Sequence, residues 1–128
     1  YPVYHGTSLT DLKTKLTSLS QTFGKKIIIA ETSYPFSLGY NDWTNNVVGQ
    51  NNQLVSGYDA SFLGQKNYIT AIKSLIKEVP NGIGFCYWGG EWVAFKGNQA
   101  TDGSTWENQA LWDFNNNALE GIQAFNKD

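Results

Sequence analysis

Residues 25–36 read KKIIIAETSYPF. Three consecutive isoleucines and an alanine run straight into Glu31, and Tyr34 follows three residues later. A short unbroken apolar run of this kind predicts a strand buried on both faces, as in parallel sheets. A carboxylate at the exit of such a strand is costly to bury, so it is paired, exposed at the sheet's edge, or working. In barrel enzymes the strand exits carry the chemistry. On position alone, a catalytic carboxylate and a polar residue that merely ends a strand both stay open for Glu31.

Working outward, Ser8 is placed to cap a helix, with Asp11 three residues on in the manner of a capping box. Leu9, Leu12, Leu16, Leu19 and Phe23 then recur at three- and four-residue steps, one apolar helix face, and Gly24 is suited to stop it. Residues 1–6, YPVYHG, read as the end of a strand entering a loop. Residues 37–59 form a long polar loop rich in Asn, Gly and Gln; a loop of that length in a compact domain is usually functional or disordered. A second helix is predicted over 61–79, with Phe62, Ile69, Ile72, Ile76 and Val79 facing inward and Pro80-Asn81-Gly82 ending it. Residues 83–88 read as the next strand, residues 110–114 as extended, and a last helix is predicted from about Asn117 with Ala118, Ile122 and Phe125 on one face. The alternation of strand and helix argues for βαβ units and a parallel sheet. Two and a half strands cannot close on themselves, and their open edges would be apolar. The pattern therefore expects this chain to be part of something larger or to lean on a partner.

Composition narrows the classes. The chain has 128 residues, which suits one small domain over 1–128 and falls short of a whole α/β barrel at about 200 residues or more. Formal net charge is −2, with 9 basic and 11 acidic groups, which is no electrostatic footprint for nucleic acid or a membrane surface. No run of apolar residues is long enough for a transmembrane helix. The start at Tyr1-Pro2 and the lack of Met suggest a processed or excised chain. Cys86 is the single cysteine, so no internal disulfide forms, and its apolar surroundings predict a small buried residue. The chain holds 5 Trp and 7 Tyr, several in loop-like context, where rings either pack the fold or stack on the apolar faces of sugars. GxGxxG and P-loop patterns are absent.

Four segments in order, YPVYHG, KKIIIAETSYPF, VPNGIGFCYW and GSTWENQALWDFNNNAL, resemble the C-terminal part of the arabinogalactan endo-β-1,4-galactanases of glycoside hydrolase family 53. The ETSYP and WENQALWDF segments are its most specific parts. The resemblance runs from Tyr1 to about Phe125, and residues 37–59 are the least similar. It implies an α/β fold, the C-terminal portion of a (β/α)8 TIM barrel from the end of strand six through helix eight, incomplete as given. Strand six would end at Tyr4, strand seven would be 27–30 and strand eight 83–87.

The resemblance further implies a retaining hydrolase whose nucleophile, at the end of strand seven, falls on Glu31. Its acid/base partner belongs to strand four, which this chain does not contain. Trp88 matches a sugar-platform tryptophan. His5 matches the strand-six exit and would contact a sugar hydroxyl, with Tyr4 standing where a tryptophan is usual. Tyr34 would orient the carboxylate or a hydroxyl, and Trp92 and Trp106 would line more distant subsites. Tyr87 is expected to be structural. Glu91 in WGGEWV is expected to face solvent, because the family places no acid/base there; many members carry Glu-Pro where this chain has Gly89-Gly90. No cofactor is implied. Asp42, Asp59 and Asp102 offer oxygen donors for calcium, found near these loops in some members, but no ligand spacing compels a metal.

The function expected is endo-hydrolysis of β-1,4-galactosidic bonds in galactan or arabinogalactan, by an enzyme of which this chain carries the nucleophile and which is inactive without the upstream strands. A polysaccharide must usually be cut before uptake, so an extracellular location follows from the substrate class. The rival readings are a carbohydrate-binding protein and an inactive half-barrel that self-associates. The amphipathic helices count against the first, since binding modules built on aromatic rings are usually all-β.

Overall fold

The computed structural model describes residues 8–126. The predicted strand end at Tyr4, and with it His5, lies outside the described residues. Helix α1 spans Leu9–Phe23. Ser8 caps it, its Oγ accepting the Asp11 N–H at 3.1 Å, and Gly24 closes it in the left-handed conformation at φ 59°. Strand β1 spans Ile27–Thr32, helix α2 Phe62–Glu78 and strand β2 Gly82–Tyr87. The strands pair in parallel, with Thr32 opposite Tyr87. A parallel pair needs a long crossover, and residues 33–81 with α2 supply it.

Helix α2 forms where the 3.6-residue spacing predicts it. Ser61 caps it through the Gly64 N–H at 2.9 Å, and Ile69, Ile72, Ile76 and Val79 are buried. Phe62, expected to face inward, is 49% exposed; it sits at the first position of the helix, and its ring meets Phe36 in the adjoining loop, not the sheet. The turn into β2 is close. Asn81 takes φ 59°, and a Cβ on Gly82 would fall 2.0 Å from the Ile76 carbonyl oxygen.

The isoleucine run is buried on one face, not two. Ile29 is in the core while Ile28 is 52% exposed, and Ile83 of β2 is 60% exposed. The helices cover a single face of the sheet, where Phe85 and Tyr87 pack against Phe125. Cys86, expected to be buried, is exposed for the same reason: its neighbours Phe85 and Tyr87 take the covered side.

The C-terminal segment also departs from expectation. The predicted helix from Asn117 is a short 3₁₀ helix, Glu120–Phe125. The segment read as extended contributes one antiparallel bridge, Trp112 to Ala118, around a turn in which Asp113 Oδ1 accepts the N–H groups of Asn115 and Asn117, each at 2.8 Å. Asn residues and Gly121 are weak helix formers, and the stretch is too short to nucleate an α-helix alone. No described helix is long and apolar enough to cross a membrane.

Candidate active site at the strand exits

Glu31 is the penultimate residue of β1 and its side chain is exposed. The ion pairs between described residues, Lys13–Glu78, Lys66–Glu120 and Lys96–Asp102, all lie elsewhere. Trp88 follows β2 directly, and its N–H donates to the Thr32 carbonyl at 2.8 Å, extending the ladder past the strand. The carboxylate and the indole thus leave adjacent parallel strands at the same, C-terminal end, where ligands gather in barrels. Trp88 is 40% exposed.

Trp88 begins a row of rings. Trp88 and Trp92 meet edge to face at 5.4 Å between centroids, and Trp92 and Trp106 do so at 6.0 Å. Gly89 makes room for the row: it takes φ 69°, and a Cβ there would come 2.9 Å from Trp106 Cδ1 and 3.3 Å from the Trp92 ring. Trp92 is 41% exposed and, with exposed Glu91 and Phe95 and buried Ser104, lines a concavity of about 420 Å³. Glu91 faces solvent, as its sequence context suggested.

The three residues after Glu31 are each held from another element. Thr32 Oγ1 and Tyr68 Oη lie 3.2 Å apart in hydrogen-bond contact. Ser33 Oγ donates to Gln109 Oε1 at 2.8 Å and accepts the Trp106 Nε1–H at 3.2 Å. The Tyr34 N–H donates to Tyr87 Oη at 3.0 Å, and the Tyr34 carbonyl accepts Gln65 Nε2–H at 3.0 Å. Tyr87 Oη in turn lies 2.8 Å from the Gln109 carbonyl. Burial drives the Tyr87 phenol far above its usual range. A rigid exit of this kind is what a reacting carboxylate needs.

The Tyr34 side chain is turned into the protein, contrary to the expected contact with sugar. It is fully buried, its ring stacks on Tyr68 at 4.1 Å, its hydroxyl donates to the Tyr58 carbonyl at 2.7 Å and accepts the Val55 N–H at 3.1 Å. It ties down the long loop, and burial raises its phenol pKa to about 12.

The aspartates weighed for calcium do not converge. Asp59 and Asp102 are exposed and Asp102 pairs with Lys96, whereas Asp42 is buried, its Oδ1 accepting the Thr44 N–H at 2.7 Å. Among the described residues no group of three or more His, Cys, Asp and Glu is arranged to hold a metal ion.

The sequence reading missed the buried polar run Glu107, Asn108 and Gln109, a 3₁₀ turn that floors the long loop. Glu107 Oε1 accepts the Asn41 N–H at 2.7 Å, and Asn108 Nδ2 donates to the carbonyls of Ser37 and Val48 at 2.8 and 2.7 Å. Burial raises the Glu107 pKa, and the neighbouring charge of Asp42 adds to it. The one signal in the sequence was that ENQ sits between Trp106 and Ala110 with a large aromatic and an apolar pair on its flanks.

Comparison with known proteins points one way. A family model described as "Glycosyl hydrolase family 53" matches residues 1–125. The chain is 33% identical to an arabinogalactan endo-beta-1,4-galactanase of Cellvibrio japonicus, covering 100% of this chain and 34% of that protein. It is 30% identical to an endo-beta-1,4-galactanase of Bacillus subtilis, over 98% of this chain and 36% of that protein. The chain thus spans about a third of the length of these relatives. Among solved structures, the Ignisphaera aggregans GH53 catalytic domain superposes with a TM-score of 0.87 at 32% identity, covering 98% of this chain and 36% of that one. The two described strands and the helices on one side are those of a partial barrel.

Proposed function

Because this chain belongs to glycosyl hydrolase family 53, we propose that it carries the nucleophile of an endo-β-1,4-galactanase acting on galactan or arabinogalactan. The observation that carries the reading is the exposed Glu31 carboxylate at the end of β1 beside Trp88 at the end of β2. Glu31 attacks the anomeric carbon and forms a covalent glycosyl-enzyme. A second carboxyl group, about 5–5.5 Å away, protonates the departing glycosidic oxygen and later takes a proton from the water that releases the sugar. That second group falls on a strand outside this chain. The Thr32, Ser33 and Tyr34 contacts fix the strand exit from which Glu31 projects, and positioning of this kind is where much of the rate arises. The Trp88 face supports the flat apolar side of a galactose ring. The chemistry draws on no cofactor, and the polymeric substrate carries an extracellular location with it.

The test is reducing-sugar release from linear β-1,4-galactan by the enzyme that contains this chain together with its upstream strands, beside its Glu31→Gln counterpart. Loss of about 10³-fold or more in kcat is expected for the variant, as for removal of a nucleophile or general acid. Equal activity of the two removes Glu31 from the mechanism. The 128-residue chain alone is expected to show no turnover, since it lacks the proton donor.

A further inference from the structure

Ser33 stands two residues past Glu31, is 2% exposed, and bonds through its hydroxyl to the end of the tryptophan row. It donates to Gln109 Oε1 and receives the Trp106 indole N–H at 3.2 Å. Trp106 lies edge to face against Trp92, and Trp92 against Trp88. The row is braced a second time, because Ser104 Oγ donates to the Trp92 carbonyl at 2.7 Å and accepts the Trp106 N–H at 3.3 Å. One hydrogen bond therefore joins the segment that carries the carboxylate to the far end of the ring platform. Edge-to-face ring contacts are individually weak. A directional N–H to Oγ bond at the end of the row fixes where along the strand exit the platform stands.

We infer that Ser33 and Trp106 are positioning residues that set the register between Glu31 and the Trp88–Trp92 platform, and so the seat of the galactose unit next to the one being cut. The inference rests on the galactanase reading. Neither side chain is asked to touch the sugar: Ser33 is buried, and half-buried Trp106 meets Trp92 edge to face. Without the bond, the indole N–H and the Ser33 hydroxyl lose each other as partners, the row relaxes, and sugar binding suffers more than the chemical step.

The experiment uses the complete galactanase and β-1,4-galactotetraose. Affinity is read from tryptophan fluorescence in the Glu31→Gln background, where the ligand is not consumed, and KM and kcat are read on galactan in the active background. Ser33→Ala and Trp106→Phe are each expected to weaken affinity and raise KM about three- to tenfold, the scale of one neutral hydrogen bond, with kcat falling less. The double variant should lose less than the sum of the two singles, because both remove the indole–hydroxyl bond, while Ser33→Ala also removes the bond to Gln109. Trp106→Phe keeps a ring in the slot and decides the matter should Ser33→Ala fail to fold. Unchanged affinity and KM in folded variants, additive losses, or a fall in kcat alone overturns the inference while the galactanase reading stands. A wild-type enzyme that neither binds nor cleaves galactan overturns both.

Discussion

At the scale of single residues, the strand exit is defined by side chains that give up their polar atoms to main chain. Tyr34 and Tyr87 show this most clearly, since each phenol is buried and bonded to backbone groups of other segments. Both pKa values lie above the ordinary 10.0, Tyr34 at about 12. The folded state therefore holds these protons after the unfolded chain has released them. Stability from the pair is complete below pH 10 and declines as pH rises through 10 towards 12. Melting temperature measured from pH 7 to 11 should stay level to about pH 9 and then fall. A melting temperature that stays level to pH 11 would mean that these phenols are open to solvent. Little of this was visible in the residues themselves. Glu31 could be singled out because a charged residue ends an apolar run, and Trp88 through the family resemblance. Ser33, Gln65 and Gln109 are ordinary polar letters, and nothing marks them until the chain folds back from far along the sequence.

At the scale of elements, the two long helices were legible because their apolar spacing, caps and stop signals agree. Ser8 caps where expected, α2 begins at the predicted boundary with Ser61 as its cap, and Gly24 ends α1. The 3₁₀ turns were not legible, since three to six residues carry too little periodicity. The strands were legible as strands but not in their burial. IIIA is compatible with cover on two faces, and the described residues supply it on one. The link between α2 and β2 makes a sharper claim. Gly82 approaches the Ile76 carbonyl so closely that a methyl group would fall 2.0 Å from it, and backbone on both sides leaves little to yield. Gly82→Ala should cost about 2–4 kcal/mol, the range of severe single substitutions, read by denaturant unfolding of the complete enzyme. A cost under 0.5 kcal/mol would mean the turn relaxes freely and does not fix the register of β2.

At the scale of the whole molecule, the sheet has cover on one side, and Ile28, Ile83 and Cys86 stand on or near the other. Extended apolar surface of this kind marks an interaction face. Produced alone, residues 1–128 should self-associate and bind an apolar dye, as judged by light scattering and dye fluorescence. A monodisperse monomer that ignores the dye would show that the exposed sheet face is tolerated. Family and barrel class were legible from four short segments, because a strand exit with ETSYP and a late WENQALWDF occur in fixed order. The cover of the open sheet face was not, because no described residue supplies it. Gly89 draws a last consequence for anyone building chimaeras of such enzymes. Its left-handed backbone and its place beneath two indoles mean that the Glu-Pro pair of related loops cannot be transplanted alone into positions 89 and 90. A graft there has to carry its own aromatic neighbours, so the loop and its rings are inherited as one module.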